Sequence, residues 1–499
     1  MVAYDVGMAA AAAAESVSTT PLIRSLEEIV GAAWVVTDPD GLRTYECDGL
    51  TGWRQVPLAV VLPSTTAEVA AVVTVCHRSG VPFVARGSGT GLSGGALPDP
   101  HGIVISLSRM REILKVDLEN ERVVVQPGVF NLAVTRAVAD AGYFYAPDPS
   151  SQRVCSIGGN VAENSGGAHC LKYGFTTNHV LAATLVLSDG RVVHLGAATL
   201  DSPGLDLLGV VIGSEGTLGI VTEVTLRVLP SPARVETLLA AFDSTDAAGA
   251  AVAAIIAAGV VPAAMEMMDR ATIEAVEATM HAGYPSCGAA LLVELDGPEP
   301  ECRSLFRQVT ELCRASGSSE VRVARDEAER TLLWKGRRGA FSAMGRVSPD
   351  YYVQDGVVPR SRLAEVLAGI RDLEAKHGLR VANVFHAGDG NLHPLILYDR
   401  RVEGGAARAR DLAEDILVLC LRAGGSLTGE HGVGRDKVCQ MPKLFSVADQ
   451  EVMARVRVAF DPQGLANPGK VLPTPRLCGE HPGIYRPHPA EIAGLAERM

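Results

Sequence analysis

None of the ten cysteines, scattered from Cys47 to Cys478, stands in a Cys-x-x-Cys pair. The spacing excludes a zinc ribbon and a cysteine-ligated iron–sulfur centre, since both need closely set thiolates. Reduced thiols are the expectation for a chain of this length. An excess of positive charge is missing too. Lys and Arg number 45 against 57 Asp and Glu, a net charge of −12 without any basic cluster. Nucleic acid is thereby excluded as a partner, because phosphate neutralisation needs grouped cations. Met1–Thr20 has no basic stretch ahead of its alanine run Ala9–Ala14, and Asp5 stands where one would be needed. No signal peptide is expected, and the chain reads as cytoplasmic. The longest uncharged stretch, Ala247–Met265, nears the length of a membrane span. Its alanines contribute little to insertion and Pro262 lies near its end, so it reads as a helix of a folded domain, not a transmembrane segment.

What is present is apolar residue and glycine. With 47% hydrophobic residues in 499, a large core in two or three domains is expected. Residues 1–56 form a lead-in. Residues 57–230 alternate short strands and helices. The helix after Ser64-Thr-Thr-Ala-Glu68 is typical, with a hydroxyl cap at its start and Gly80 at its end. Residues 231–450 set alanine-rich helices against strands. A segment 451–474 and a Pro-rich tail 475–499 close the chain. The mixed pattern argues for an α+β class.

Three glycine-rich stretches stand out. Ala85-Arg-Gly-Ser-Gly-Thr-Gly-Leu-Ser-Gly-Gly95 follows a strand and can turn several backbone N–H groups toward a phosphate. It is no Walker loop, and it runs on into Pro98 instead of opening a helix, which makes a dinucleotide fingerprint a weak match. A second loop spans Ser156–Gly167, and a third spans Ile212–Val221. A rigid Ala146-Pro-Asp-Pro-Ser-Ser151 turn precedes the second.

The two stretches around the C-terminal histidines carry their own argument. His386-Ala-Gly-Asp-Gly-Asn-Leu-His393 places an Asp-Gly pair between apolar runs, a hairpin signal. Centring a two-residue turn on Asp389-Gly390 opposes His386 to His393 on one face, spaced to chelate a divalent ion. Two ordinary hairpin histidines are the plain alternative. Gly425-Ser-Leu-Thr-Gly-Glu-His-Gly-Val-Gly434 supplies Glu430 as a third candidate ligand, in a segment too glycine-rich for a helix interior. A His/His/Glu set with an open position is of the catalytic kind.

In order and spacing, the glycine loops resemble the FAD-binding domain of the vanillyl-alcohol oxidase and p-cresol methylhydroxylase family. The resemblance implies a two-subdomain FAD-binding domain followed by an α+β substrate domain with an antiparallel sheet. It implies that Arg86, Gly87, Ser88, Gly89, Thr90, Gly91 and Leu92 cradle the pyrophosphate. Pro147, Ser150, Ser151, Gly158, Gly159 and Asn160 would line the flavin and ribityl chain, and Ile220 would approach the adenine. Asn164, Glu215, Gly219 and Asn467 complete the implied cofactor set. Gly87–Gly95 contains no histidine for covalent attachment, so non-covalent FAD is expected.

The second half resembles the FAD-linked oxidase C-terminal domain of glycolate oxidase flavin subunits, D-lactate dehydrogenases and D-2-hydroxyglutarate dehydrogenases. Trp334-Lys-Gly-Arg-Arg-Gly-Ala-Phe341 and Asp461-Pro-Gln-Gly-Leu-Ala-Asn-Pro-Gly-Lys470 extend the likeness, and the latter is where the chain should return to the flavin. By resemblance, His386, His393 and Glu430 bind a divalent metal (zinc, manganese or iron), His431 is the general base and Arg337 holds the substrate carboxylate. Apolar Phe341 and Val353 replace the polar and basic groups expected for a dicarboxylate, which implies a short 2-hydroxy acid, glycolate or D-lactate. Hydride would pass to flavin N5, and electrons to an acceptor other than oxygen. Partner subunits with flavin-like and iron–sulfur domains are implied, at the membrane face. Two readings from other classes stay open: a metallohydrolase using only the His/His/Glu site, and a non-catalytic flavin-binding subunit.

Overall fold

The computed structural model describes residues 19–197, 199 and 204–473. The alanine run Ala9–Ala14 and the whole of the tail 475–499, Cys478 included, therefore fall outside the described residues. The chain is α+β, with mixed and antiparallel sheets in two sequential regions.

The first region holds two sheets. In one, strands Ala59–Val61 and Phe83–Arg86 flank Ile103–Ser106 in parallel, and Val35–Val36 joins at the edge. Helix Thr66–Ser79 crosses between the first two. Thr65 caps it by accepting from the Glu68 N–H, Glu68 reaches back to the Ser64 N–H, and Gly80 ends it in the left-handed conformation. Its Val69, Val72, Val73 and Cys76 bury against Phe83, Ile103 and Ile105. The other sheet is five-stranded and antiparallel, with Ile220–Arg227 at its centre between Arg122–Val125 and Val180–Val186. The stretch Ser156–Gly167 is not all loop. Ser156 caps a helix Ile157–Glu163, which Asn164 ends at φ 50°. Capping at both ends outweighs its two internal glycines.

The second region is an eight-stranded antiparallel sheet. Strands Arg234–Phe242, Ala289–Gly297, Ala264–Asp269, Arg380–His386 and Asn391–Tyr398 run side by side through its middle. Helices Thr245–Ala257, Leu363–His377 and Gly405–Arg422 cover one face. The uncharged stretch Ala247–Met265 divides into that first helix and the start of a strand. Among the described residues no helix is long and apolar enough to cross a membrane. Among the described residues, eight cysteines carry free thiols.

The C-terminal segment returns to the first sheet. Ala466 bridges Phe83 in parallel, with the Phe83 N–H donating to Leu465 O and the Asn467 N–H to Phe83 O. The segment thereby pairs alongside the strand that delivers Arg86.

Candidate active site

The three glycine-rich stretches converge on one channel. Arg86, Gly87, Ser88, Gly89, Thr90, Gly91 and Leu92 form one wall, Ser150, Ser151, Gly158, Gly159 and Asn160 another, and Glu215, Gly219 and Ile220 a third. Phe341, Glu430 and His431 of the second region close one end of the same channel. Arg86 is buried and its Nη1 has no hydrogen-bond partner among the described residues. A buried unpaired guanidinium costs free energy unless an anion meets it, which fits a pyrophosphate.

Three expected cofactor residues serve as supports and do not line the channel. The carbonyl of Pro147 accepts from Asn131 Nδ2 at 3.1 Å. Asn164 ends the helix and accepts the Thr177 N–H at 2.9 Å. Asn467 donates to Gly95 O at 2.9 Å and to Glu215 O at 2.7 Å, tying the first loop to the third.

The histidine hairpin forms with a different register. Its turn is Ala387-Gly-Asp-Gly390, so His386 pairs with Asn391, and His393 with Val384. The Gly388 N–H is taken by Met265 O, and Asp389 accepts the Asn391 N–H at 3.0 Å. Gly390 is left-handed at φ 80°, and a Cβ there would stand 2.1 Å from Val358 O. These ties draw four residues into the turn instead of two. The register therefore moves by two, and the side-chain period of a strand is also two, so both histidines stay on one face. They are diagonal neighbours, with ring centroids 5.1 Å apart.

Glu430 Oε1 lies 3.2 Å from His386 Nε2 and 3.1 Å from His393 Nε2. All three ligand atoms lie within 4.8 Å of one another, and both histidines are buried, at 4% and 2% exposed. Three donors converging on a point beside the channel fit a divalent ion with an open coordination position. His386 Nδ1 donates to Glu266 Oε1 at 2.8 Å, leaving Nε2 free to ligate. Glu266 stands opposite His386 on the neighbouring strand, and its other oxygen lies 2.5 Å from Arg337 Nη2.

Arg337 is 4% exposed, and its Nε has no hydrogen-bond partner among the described residues. One carboxylate thus separates it from the His/His/Glu cluster, and it retains donors for another. His431 follows Glu430 and stacks on His393 at 4.8 Å, with 7° between the rings. Burial pushes its imidazole down to about 4, against the pull of Asp355, so the ring is neutral at neutral pH. Its Nε2 lies 3.9 Å from Glu430 Oε1.

Asp355 sets the Glu430–His431 turn. One of its oxygens accepts from the Thr428 hydroxyl and from the N–H groups of Gly429 and His431 at 2.9 and 3.1 Å. Burial alone would raise its pKa, but Lys437 and the facing imidazoles hold it well below the carboxylate range. Glu163 lines the channel with one buried oxygen unpartnered. Burial, reinforced by the charge of Glu215, holds Glu163 well above the ordinary carboxylate range. Glu163, Glu266 and Asp355 were not legible as site residues. The one signal for Glu266 is a single acid within the apolar Ala-Met-Glu-Met-Met run.

Residues 57–196 match the family described as FAD binding domain, and residues 231–471 match FAD linked oxidases, C-terminal domain. Over 95% of both chains, the sequence is 50% identical to glycolate oxidase subunit GlcD of Escherichia coli (strain K12). It is 35% identical to a D-lactate dehydrogenase of Anaerostipes hadrus, covering 83% of this chain and 89% of that one. A solved structure of p-cresol methylhydroxylase with substrate bound superposes with a TM-score of 0.77 at 16% identity, covering 91% of this chain and 96% of that one.

Proposed function

The chain belongs to the FAD-linked oxidase family, and from that premise we propose that it oxidises a small 2-hydroxy acid, glycolate foremost, to the 2-oxo acid. The observation that carries this reading is the shared channel: Glu430 and His431 line the same cavity as Arg86–Leu92 and Gly158–Asn160.

FAD would lie along those loops, held without a covalent bond, and when bound supplies a hydride acceptor at its N5. A divalent ion on His386, His393 and Glu430 would supply Lewis acidity toward the substrate hydroxyl. The chain does the rest. Arg337 offers its unpartnered Nε to the substrate carboxylate in a directional, charge-assisted bond. His431, neutral and facing the cluster through Nε2, takes the hydroxyl proton. Glu266 keeps the His386 ring in the orientation that turns Nε2 inward. Phe341 packs edge-on to His393 with centroids 5.9 Å apart, and Val353 is buried in a strand paired with Leu395. Apolar groups at both positions favour a short monocarboxylate.

D-Lactate is the second reading, supported by the D-lactate dehydrogenase relative. A metallohydrolase would leave the glycine-lined channel without a role, and a non-catalytic flavin subunit would leave His431 and Arg337 without one. The chain carries no cluster-binding cysteine motif, so the reduced flavin must pass its electrons to a group outside this chain, which we read as an acceptor other than oxygen. Partner subunits with flavin-like and iron–sulfur domains, at the cytoplasmic face of a membrane, fit that need. The test is a visible spectrum and metal analysis of the purified protein, then anaerobic incubation with D- and L-2-hydroxy acids. A yellow, metal-containing protein bleached by glycolate or D-lactate is expected. A colourless protein that cannot take up FAD contradicts the proposal.

A further inference from the structure

A short segment, residues 166–173, ending in the helix Cys170–Tyr173, leaves the first region and wedges against strand Ala289–Gly297 of the second. Lys172 and Tyr173 both hold the Asp296 carboxylate. His169 stands at the middle of the wedge. Its backbone N–H donates to Asp148 Oδ1 at 3.2 Å and its Nδ1 to Asp148 Oδ2 at 2.8 Å. Its Nε2 meets Glu294 Oε1 at 3.1 Å, and its ring stacks on Trp334 at 5.5 Å.

Each partner leads to a different part of the site. Asp148 belongs to the 147–151 segment, whose Pro149, Ser150 and Ser151 line the channel. A Cβ on Gly167 would stand 2.5 Å from the Asp148 carbonyl carbon, so only glycine admits this close approach. Glu294 accepts from Trp334 Nε1 at 2.6 Å and from Thr237 Oγ1 at 2.8 Å. Trp334 sits on helix Glu327–Arg338, which also carries Arg337. Arg338 on that helix closes the circuit, 3.6 Å from Asp148 Oδ2 and over the Trp334 ring.

We propose that His169 is a positioning residue, coupling the helix that carries Arg337 to the 147–151 wall of the channel and so fixing the substrate carboxylate relative to the flavin. The proposal rests on the function given above. Both ring nitrogens face carboxylates, and only the cation donates from both at once. Burial alone would favour the neutral ring, but Asp148 and Glu294 outweigh it and raise its pKa to about 10. The ring is therefore a cation throughout the neutral range, and its two bonds are of the stronger, charge-assisted kind.

The test uses the full-length holoenzyme with His169→Gln, Glu294→Gln and the double variant. The readout is the anaerobic rate of flavin bleaching per bound FAD at saturating glycolate or D-lactate. Each single variant should lose on the order of 10²-fold, the cost of a misplacement of about 1 Å. FAD content and reduction by dithionite should stay unchanged. The double variant should be no slower than His169→Gln, because both break one linkage. A merely structural role would lower FAD content and leave the rate per flavin intact. A single-variant rate within about two-fold of the unaltered enzyme overturns the proposal. Hydrogen exchange is read on the same proteins: Glu294→Gln, a change in the second region, should speed amide exchange at 147–151 in the first. If no 2-hydroxy acid bleaches the unaltered enzyme, the proposed function falls and exchange alone decides. Unchanged protection at 147–151 then overturns the coupling.

Discussion

Glu266 shows how much of the site's chemistry rests on one oxygen pair. One oxygen orients His386 at 2.8 Å and the other stands 2.5 Å from Arg337. Burial alone would raise its pKa, but Arg337 and His386 outweigh that and keep it ionised. Removing the charge while keeping the shape, as Glu266→Gln, should therefore weaken metal binding about 10- to 100-fold. FAD should stay bound, since Glu266 is not among the residues that line the channel. Metal content after dialysis against a graded chelator measures the loss, and full retention would show that His386 needs no such partner. His386, His393 and Glu430 were legible in sequence because they lie in short segments with recognisable turn chemistry. Glu266 and Asp355 were not. Glu266 meets His386 across 120 positions of chain, and Asp355 meets the His431 N–H across 76. Nothing local marks either pairing.

At the scale of elements, the hairpin is the part most completely specified by its turn. The expectation of directly opposed histidines missed the tertiary tie from Met265 O to the Gly388 N–H, which draws two more residues into the turn. The outcome survived because the error was even. Inserting one glycine after Asp389 shifts the register by one and sends His393 to the opposite face. Metal binding should then fall below detection while FAD is retained. Undiminished metal in that variant would mean the histidine pair does not hold the ion. Helix Ile157–Glu163 teaches the converse lesson. Its glycines suggested a loop, yet Ser156 and Asn164 cap both ends. The strands Arg234–Phe242 and Ala264–Asp269 were also unannounced, because apolar runs buried on both faces lose the alternation that marks a strand.

For the whole molecule, the site exists only where the two regions meet. The first supplies the channel walls, the second closes one end with Glu430 and His431, and the His169 linkage joins them. That linkage carries a pH signature. The folded-state pKa of His169 is raised from 6.5 to about 10, so its stabilisation is whole below pH 6.5 and is lost as pH rises toward 10. Glu294 is held at about 2, so its share is present above its ordinary value of 4.5 and is lost only as pH falls toward 2. The stability gap between the unaltered protein and His169→Gln should hence narrow above pH 6.5. The slope should be up to about 1.4 kcal/mol per pH unit. Denaturant titrations at several pH values read it directly, and a gap that widens with pH contradicts the assignment.

In the proposed function, one channel brings a 2-hydroxy acid, His431 and FAD together for a single hydride transfer. This is tested most directly by anaerobic stopped-flow mixing of the FAD-loaded protein with glycolate and D-lactate, in unaltered form and as His431→Ala. The unaltered protein should bleach. The variant should stay yellow, its reduction slower by roughly 10²–10⁴-fold, the usual worth of a positioned general base. Bleaching of His431→Ala at the unaltered rate, or no bleaching of the unaltered protein by any 2-hydroxy acid, would contradict it.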